Sequence, residues 1–271
     1  MKLIEDRYAV IGHPIAHSRS PQIHAAFAQA TGQSMSYERI LAPLDQFAAT
    51  VSAFRAAGGR GVNVTVPFKL EAFAYANQRT ARAQAAQAVN TLRFDAESIL
   101  GDNTDGAGLV TDLITNHGVV LQHQRVLLLG AGGAAQGVLL PLLETHPACL
   151  VIANRSKQKA HALAARYSNV TACGIDELAG ESFDVVINAT SAGLHGATPN
   201  LPRGIYATHA FAYDMLYGAH TPFLQSARAA GVQRVADGLG MLVEQAAESF
   251  LLWRGIRPPS QDVLAALRAN G

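Results

Sequence analysis

Length, composition and charge narrow the classes of protein to which this chain can belong. Its 271 residues suffice for one large or two modest domains, and 49% of them are hydrophobic, so a sizeable core is available. The 21 basic residues nearly balance the 20 acidic ones, which argues against nucleic acid or an anionic membrane as a partner. No apolar run reaches membrane-spanning length, and residues 1–7 lack the apolar core of a signal peptide.

The cysteines and histidines favour a metal-free protein of a reducing compartment. Cys149 and Cys173 stand in apolar or strand-like surroundings, which predicts buried thiols and a cytoplasmic location. The ten histidines show no metal-binding spacing, so no metal site is expected.

The first part of the chain alternates strands with helices. A first strand ends in the turn signal Gly12-His13-Pro14, and a helix with one apolar face follows it. The order strand–helix–strand predicts a parallel sheet. The predicted strands cover 8–12, 37–42 and 61–66, a helix covers 44–57, and a small hairpin covers 90–94 and 99–100.

Two serines stand at the start of the first helix and have two interpretations. Ser20 precedes Pro21 in the pattern of an N-cap followed by proline at the first helical position. In the functional alternative, the hydroxyls of Ser18 and Ser20 lie beside the helix N-terminus and hold a carboxylate ligand.

The third strand carries polar side chains within an apolar segment. Its alternation places Val62 and Val64 on one face, and Asn63 and Thr65 on the other. Strands of a parallel sheet are normally apolar on both faces, so two aligned polar residues need partners. They either bond locally to backbone or line a site at the carboxyl end of the strand.

Lys69 and Asp105 also have a structural and a functional interpretation. Lys69 falls in the first turn of the helix that Pro67-Phe68 opens, where a solvent-exposed side chain is the ordinary outcome and proton transfer is the alternative. Asp105 either caps the helix predicted over 106–117 or takes part in the chemistry. That helix is expected to bridge two domains.

The segment 125–137 predicts a dinucleotide site. A short apolar run of strand length is followed by Gly130, Gly132 and Ala135, which fit the pattern G-x-G-x-x-G/A. The first glycine allows a tight turn, the second lets the backbone approach a pyrophosphate, and the small third residue lets the helix pack on the strand. The next helix directs its free N–H groups at the phosphates. The strand before and the helix after are the context that this pattern requires.

The second half of the chain repeats strand and helix, and the last two helices are expected to return to the first domain. We therefore predict an α/β protein with two domains, the second a Rossmann-type doubly wound domain. Residues 1–103 with 237–271 form the first domain and 104–236 the second. The predicted strands are 149–153, 183–190 and 209–215, and the predicted helices are 157–167, 222–230, one ending near 253, and 260–269.

The residues after the second strand of this domain favour NADP over NAD. NAD-binding units carry an acidic residue there that bonds the ribose 2′-hydroxyl. In this chain the position reads Asn154-Arg155-Ser156, and Arg155 with Lys157 and Lys159 offers cations where a 2′-phosphate would lie. A basic helix start is the plain alternative, but cations are unfavourable at a helix N-terminus unless an anion is present.

Eight motifs follow one another along nearly the whole chain. They read Gly12-x-Pro-Ile-x-His-Ser-x-Ser-Pro21, Asn63-Val-Thr-Val-Pro-Phe-Lys69, Ala88-Val-Asn90, Gly101-Asp-Asn-Thr-Asp-Gly106, Gly130-Ala-Gly-Gly-Ala134, Asn188-Ala-Thr-Ser191, Tyr213-Asp-Met215 and Asp237-Gly-Leu-Gly-Met241. Any one of them is weak, but all of them in this order closely resemble the shikimate dehydrogenase family.

The resemblance implies NADP-dependent, reversible reduction of 3-dehydroshikimate to shikimate in the chorismate route to aromatic amino acids, by a cytoplasmic monomer or homodimer. The first domain would bind the substrate and the second NADP, and Lys69 and Asp105 would be the catalytic pair that handles the proton. The residues implied around the substrate are Ser18, Ser20, Asn63, Thr65, Asn90, Tyr217 and Gln245. Those implied at the cofactor are Gly130, Ala131, Gly132, Gly133, Ala134, Asn154, Arg155, Ser156, Lys159, Thr190, Met215 and Gly238.

The chain departs from the family pattern at one cofactor residue, and two other functions remain as alternatives. The family's cofactor loop often has an arginine where this chain has Lys159, and lysine is a point charge rather than a fork, so the preference for NADP is expected to be less sharp. The nearer alternative is a quinate/shikimate dehydrogenase with relaxed use of substrate or NAD. The other is a dinucleotide-sensing protein that keeps the fold without turnover, against which the presence of both Lys69 and Asp105 argues.

Overall fold

The computed structural model describes residues 5–218 and 220–269, and in it the chain divides into two compact units. The first unit runs up to Gly108 and resumes at Leu242, and the second is Leu109–Met241. The strands of the described residues are Asp6–Gly12 (β1), Met35–Leu41 (β2), Gly59–Val64 (β3), Gln78–Arg79 (β4), Thr91–Phe94 (β5), Ile99–Asp102 (β6), Arg125–Leu129 (β7), Cys149–Asn154 (β8), Val170–Gly174 (β9), Phe183–Asn188 (β10), Tyr206–Asp214 (β11) and Arg234–Asp237 (β12). The α-helices are Ser20–Thr31 (α1), Phe47–Ala56 (α2), Lys69–Tyr75 (α3), Ala81–Ala86 (α4), Asp105–Thr111 (α5), Gly133–Leu143 (α6), Lys157–Ala164 (α7), Pro222–Ala229 (α8), Leu239–Arg254 (α9) and Ser260–Ala269 (α10).

The first unit is built on a mixed sheet. Its described strands follow the order β2-β1-β3-β5-β6-β4. β1 pairs in parallel with β2 and β3, and β5 with β6 forms the predicted antiparallel hairpin. β5 also runs antiparallel to β3, whereas the short β4 pairs in parallel with β6, so the sheet is parallel over β1 to β3, as predicted, and mixed beyond them. The short connection between β5 and β6 makes that pair antiparallel, since parallel neighbours need a long crossover.

The alternation along β3 is observed as predicted. Val62 and Val64 belong to the hydrophobic core of this unit, together with Ile11, Phe68 and Leu92. The strand ends at Val64, so the polar residue that follows lies at its carboxyl end.

The long helix α9 belongs to the first unit from Leu242 onward and packs on its sheet. The Trp253 indole N–H donates to the backbone oxygen of Leu92 in β5 at 3.0 Å. A Cβ on Gly61 of β3 would lie 2.5 Å from Trp253 Nε1, so this glycine is what permits the close approach of the helix. The predicted return of the chain to the first unit is therefore observed.

The second unit is a doubly wound parallel sheet. Its described strands follow the order β12-β11-β10-β7-β8-β9, and all of these pairs are parallel. Read from β9, this is the Rossmann order 3-2-1-4-5-6, in which ligands bind where the order reverses, at the carboxyl ends of β7 and β10. The predicted fold class is confirmed.

The divisions between the units fall within continuous helices. They lie inside α5 and α9, a few residues after the expected boundaries at 103 and 236. No Gly-Pro break or change in composition marks the change of unit, because the same helix serves both.

The two cysteine thiols are less buried than predicted. Cys149 and Cys173 are both half-buried free thiols. Cys149 is the first residue of β8, and Cys173 lies in β9, which is an edge strand of its sheet. Apolar neighbours in the sequence do not distinguish an edge strand from a central one.

Candidate active site

Lys69 and Asp105 form an ion pair in the first unit. Lys69 is the first residue of α3 and Asp105 the first residue of α5. Lys69 Nζ lies 2.5 Å from Asp105 Oδ2, and the two side chains are 27% and 10% exposed. The interpretation of Lys69 as a solvated surface lysine is therefore wrong. A partly buried ammonium beside a carboxylate can hold a proton at a fixed position and deliver it.

The carboxylate of Asp105 is turned toward other elements rather than toward its own helix. Its Oδ1 accepts a hydrogen bond from Asn90 Nδ2 at 2.8 Å, while Oδ2 accepts from Lys69. The backbone N–H of Asp105 instead donates to Asn103 Oδ1 at 3.2 Å. The capping interpretation of Asp105 is wrong, because Asn103 supplies the side chain that bonds the start of α5.

Asn90 connects the ion pair to α9. Besides Asp105, its Nδ2 contacts Thr104 Oγ1 at 2.9 Å and Gln245 Oε1 at 3.3 Å. The Thr104 backbone N–H donates to Asn90 Oδ1 at 2.9 Å, which fixes the orientation of the amide. The structure thus brings Lys69, Asp105, Asn90 and Gln245 together, and the resemblance placed all four at the site.

Asn63 lies in a polar layer, which we define as the buried Asn63, Thr91 and Ser249 with the half-buried Tyr37. The Asn63 Nδ2 contacts Thr91 Oγ1 at 3.0 Å and Ser249 Oγ at 2.9 Å. Its Oδ1 accepts from the Tyr37 hydroxyl at 2.7 Å. Asn63 is only 5% exposed, so its amide hydrogens are engaged by side chains of other elements. This arrangement holds β2, β3, β5 and α9 in register around the site.

Thr65 stands directly after β3. Its backbone N–H donates to the Ile11 oxygen at 2.9 Å, and its own oxygen accepts from the Phe68 N–H at 3.0 Å. A Cβ on Gly12 would lie 2.5 Å from Thr65 Cγ2. The glycine therefore lets this half-buried threonine lie against the carboxyl end of β1.

Ser18 and Ser20 are hydrogen-bonded to each other. Ser18 Oγ lies 3.2 Å from Ser20 Oγ and accepts from the Ser20 backbone N–H at 3.3 Å. Arg39 Nε and Nη2 both donate to the Ser18 backbone oxygen, at 2.9 and 2.6 Å. Ser20 is already the first residue of α1 and Arg19 is the N-cap, so the interpretation of Ser20 as the cap is wrong. The chain enters the helix one residue earlier than the Ser-Pro pattern predicts.

A histidine that the sequence analysis passed over packs against the polar layer. The His24 ring is fully buried and stacks on Tyr37 with 4.2 Å between ring centroids. Burial lowers the pKa of His24 to about 3, so the imidazole is neutral at physiological pH.

The glycine turn of the second unit has the geometry of an anion-binding loop. Gly130 follows β7 with a φ of 110°, a conformation that favours glycine. α6 begins at Gly133 after an N-cap at Gly132, and a Cβ on either of these two glycines would meet no atom within 4 Å. Ala135 is fully buried against the core. The backbone of Gly132 and Gly133 is therefore open at the N-terminus of α6, where the sequence predicts a pyrophosphate.

The predicted 2′-phosphate region follows β8. Asn154 Nδ2 donates to the Ser156 backbone oxygen at 3.0 Å, which closes the turn before α7. Arg155 and Lys159 are exposed. Lys157 instead forms an ion pair with Glu177, so its charge is matched within the protein. Arg155 and Lys159, which the sequence analysis assigns to the 2′-phosphate, thus carry their charges at the surface.

Asn188 joins the loops in which Thr190 and Met215 lie. Its Oδ1 accepts from Thr190 Oγ1 at 2.7 Å, and its backbone oxygen accepts from the Met215 N–H at 2.9 Å. A Cβ on Gly238 would lie 2.2 Å from the Met215 oxygen, so only glycine fits at this position. The structure thus brings the three predicted cofactor residues Thr190, Met215 and Gly238 to neighbouring loops after β10, β11 and β12.

Two buried acids that the sequence analysis gave no role shape the same loops. Asp214 Oδ1 accepts from Asn188 Nδ2 at 3.0 Å and from the Leu216 N–H at 3.2 Å. Asp237 Oδ2 accepts from the Gly218 N–H at 2.7 Å. Burial raises the pKa of Asp214. Both acids belong to motifs of the family, Tyr213-Asp-Met215 and Asp237-Gly-Leu-Gly-Met241, and this membership is the sequence signal that could have identified them.

Tyr217, the remaining predicted substrate residue, belongs to the second unit. It follows β11 and is 46% exposed. The other six predicted substrate residues belong to the first unit.

Within 5–218 and 220–269, no group of histidine, cysteine, aspartate and glutamate side chains is arranged to hold a metal ion. Across the same ranges, no helix combines the length and the apolar character needed to cross a membrane.

Three family models match successive segments of the chain. They are the shikimate dehydrogenase substrate binding domain over residues 10–92, shikimate/quinate 5-dehydrogenase over 112–198, and the shikimate 5′-dehydrogenase C-terminal domain over 238–268.

Whole-chain relatives agree with these matches. The shikimate dehydrogenase (NADP+) of Aromatoleum aromaticum is 63% identical over 270 residues, which is 97% of each chain. An Ael1 enzyme from Pseudomonas putida has a solved structure with a TM-score of 0.93 and 50% identity, covering 97% of this chain and 98% of that one. The shikimate 5-dehydrogenase of Thermus thermophilus, solved with NADP(H) and shikimate, gives a TM-score of 0.87 at 34% identity, covering 97% of this chain and 99% of that one.

Proposed function

The chain belongs to the shikimate dehydrogenase family, as its motifs predict, and we propose that it catalyses the NADP-dependent, reversible reduction of 3-dehydroshikimate to shikimate. The observation that carries the proposal is the ion pair of Lys69 with Asp105, held at 2.5 Å by a network that includes Asn90. The reaction belongs to the biosynthesis of chorismate and the aromatic amino acids.

NADP fits the second unit. The glycine turn leaves an open backbone at the start of α6, and Arg155 offers an exposed guanidinium after β8. When bound, the cofactor supplies the hydride to the carbonyl carbon of the substrate or accepts it from the alcohol. We assign the pyrophosphate to Gly130–Ala134, the 2′-phosphate to the segment Asn154–Ser156 and Lys159, and the nicotinamide side to the loops of Thr190, Met215 and Gly238.

Lys69 handles the proton that accompanies the hydride. In the direction of reduction, its ammonium donates a proton to the carbonyl oxygen as this oxygen becomes a hydroxyl. Asp105 keeps the ammonium in place and accepts a hydrogen bond from the substrate. In the direction of oxidation, the neutral amine takes the hydroxyl proton and returns it to water.

The polar side chains of the first unit fit a hydroxylated ring with one carboxylate. Ser18 and Ser20 hold the carboxylate, since their hydroxyls lie 3.2 Å apart beside the start of α1. Thr65, Asn90 and Gln245 bond the ring hydroxyls. Asn63 positions these groups through the polar layer. The family resemblance also assigns Tyr217 to the substrate.

The protein works in the cytoplasm as a monomer or homodimer, and its partner is the small-molecule substrate rather than nucleic acid or a membrane. The near balance of 21 basic and 20 acidic residues supports the exclusion of nucleic acid and of an anionic membrane as partners.

An assay of the purified chain tests the proposal. The absorbance of the reduced nicotinamide is followed with shikimate or quinate as substrate and with NADP or NAD as cofactor. Turnover with shikimate and NADP is expected to be fastest. Comparable kcat/KM for quinate or NAD would favour the relaxed quinate/shikimate dehydrogenase. Binding of NADPH without turnover of either substrate would favour the sensor.

A further inference from the structure

Arg82 makes a fork-shaped contact with a buried carboxylate close to the proposed proton-transfer pair. Arg82 lies on α4, and its Nε and Nη2 donate to the two oxygens of Asp102 at 2.7 and 2.6 Å. Asp102 is 1% exposed, while the Arg82 side chain is 27% exposed. A bidentate pair of this kind fixes the plane of the carboxylate as well as its distance.

Asp102 in turn fixes the segment that leads to Asp105. It is the last residue of β6, and its Oδ1 also accepts from the Asn103 N–H at 2.8 Å and from Thr80 Oγ1 at 2.5 Å. Asn103 then bonds the Asp105 backbone N–H through its own side chain. A displacement of Asp102 therefore moves the residue that bonds the start of α5.

The third nitrogen of the same guanidinium reaches the helix that carries Gln245. Arg82 Nη1 donates to Glu248 Oε2 at 3.2 Å. Glu248 stands three residues after Gln245 on α9, so both side chains lie on the same side of the helix. Arg257 forms an ion pair with the other oxygen of Glu248, Oε1, so both oxygens of this carboxylate are bonded.

We propose that Arg82 is a positioning residue that sets the spacing between Asp105 and Gln245. The planar guanidinium bonds both Asp102, three residues before Asp105, and Glu248, three residues after Gln245. A lysine ammonium lacks this fork and cannot bond both carboxylates at the same angles. The inference rests on the proposed function, because the spacing matters for turnover of a substrate held between these side chains.

Arg82→Lys tests the proposal against a matched control. Arg93→Lys also removes a guanidinium that bonds a carboxylate, Asp95, and the backbone oxygen of Leu252 in α9. The partners of Arg93 are thus neither Asp102 nor Glu248. Arg82→Lys should lower kcat about tenfold or more, since small displacements of reacting groups are costly. The KM for NADP should not change, and Arg93→Lys should keep the kcat of the wild type.

Two further measurements keep the test valid if Arg82→Lys does not fold. Urea unfolding of both lysine variants shows whether each is folded under the assay conditions. If Arg82→Lys is unfolded, Glu248→Gln replaces it: this variant keeps the Asp102 contact and should raise the KM for shikimate through Gln245, with the KM for NADP unchanged.

The outcomes separate the inference from the proposed function. A wild type without shikimate turnover would overturn both. An active wild type with equal kcat in folded Arg82→Lys and Arg93→Lys would overturn the positioning role alone, as would a Glu248→Gln variant with an unchanged KM for shikimate.

Discussion

The pH dependence of stability gives a test of the buried His24. Burial lowers the pKa of this imidazole to about 3 from its ordinary value of 6.5. In the unfolded chain the ring is hydrated and keeps its ordinary pKa. As the pH falls through that value, the unfolded state binds a proton that the folded state does not take. Folding is therefore favoured above the unfolded-state pKa and weakened progressively below it, down to the folded-state pKa.

The size of the effect follows from the two pKa values. Between pH 8 and pH 5, the titration of His24 should cost the folded state about 2 kcal/mol of unfolding free energy. His24→Phe removes the titrating group and keeps a ring against Tyr37, whose centroid lies 4.2 Å away. The difference in unfolding free energy between the two pH values should thus be about 2 kcal/mol smaller in the variant than in the wild type.

Urea unfolding followed by tryptophan fluorescence makes this comparison. Trp253 is the sole tryptophan of the chain, and its ring centroid lies 5.4 Å from that of His24, so the signal reports on the first unit. His161→Gln, which changes an exposed histidine of α7, serves as the control and should keep the pH dependence of the wild type. The same pH dependence in wild type and His24→Phe would refute the argument.

Three further predictions concern the two proposed sites. Lys69→Ala and Asp105→Asn should each lower kcat, and the double variant should lose much less than the product of the single losses, because the pair acts as one unit; independent losses in the double variant would argue against the pair. Arg155→Ala should raise the KM for NADP about tenfold or more, since a charge-assisted phosphate contact is worth about 1.5–3 kcal/mol, and equal effects with NAD would exclude a 2′-phosphate contact. Gly238→Ala should raise the KM for NADP and lower the Tm, because its Cβ would lie 2.2 Å from the Met215 oxygen; wild-type values of both would contradict the close approach.

Segments that carry their own local signal were predictable from the sequence. The apolar strand, glycine turn and helix around Gly130 occur where the pattern predicts them. The alternation of β3 correctly separates the core residue Val62 from the polar Asn63. Both signals arise from neighbouring residues, whose geometry is set by the backbone period alone.

Contacts between distant segments were not predictable in this way. Tyr37, His24 and Ser249 come from three elements, and nothing local indicates that they meet at Asn63 or stack on one another. A single serine in a long helix is usually a surface residue, whereas Ser249 is fully buried with polar partners. Which polar side chains share a buried layer depends on strand order and helix placement.

The direction of β5 relative to β3 and the short edge strands of the second sheet were also not predicted. The antiparallel pairing of β5 with β3 depends on how the hairpin is placed, which no periodicity encodes. β9 and β12 form the two edges of the second sheet and were not predicted as strands. Short edge strands are covered less evenly than central ones, so their apolar pattern is weak.

Lys69 is expected to transfer the proton during turnover of shikimate, and the proposed mechanism depends on it. The decisive measurement is the kcat of wild type and Lys69→Ala with shikimate and NADP, together with the affinity of each for NADPH. Positioned proton transfer typically contributes about 100- to 10,000-fold, so the variant should lose about that factor in kcat. NADPH affinity should barely change, because Lys69 and the glycine turn belong to different units. A near-normal kcat in Lys69→Ala would contradict the proposed mechanism.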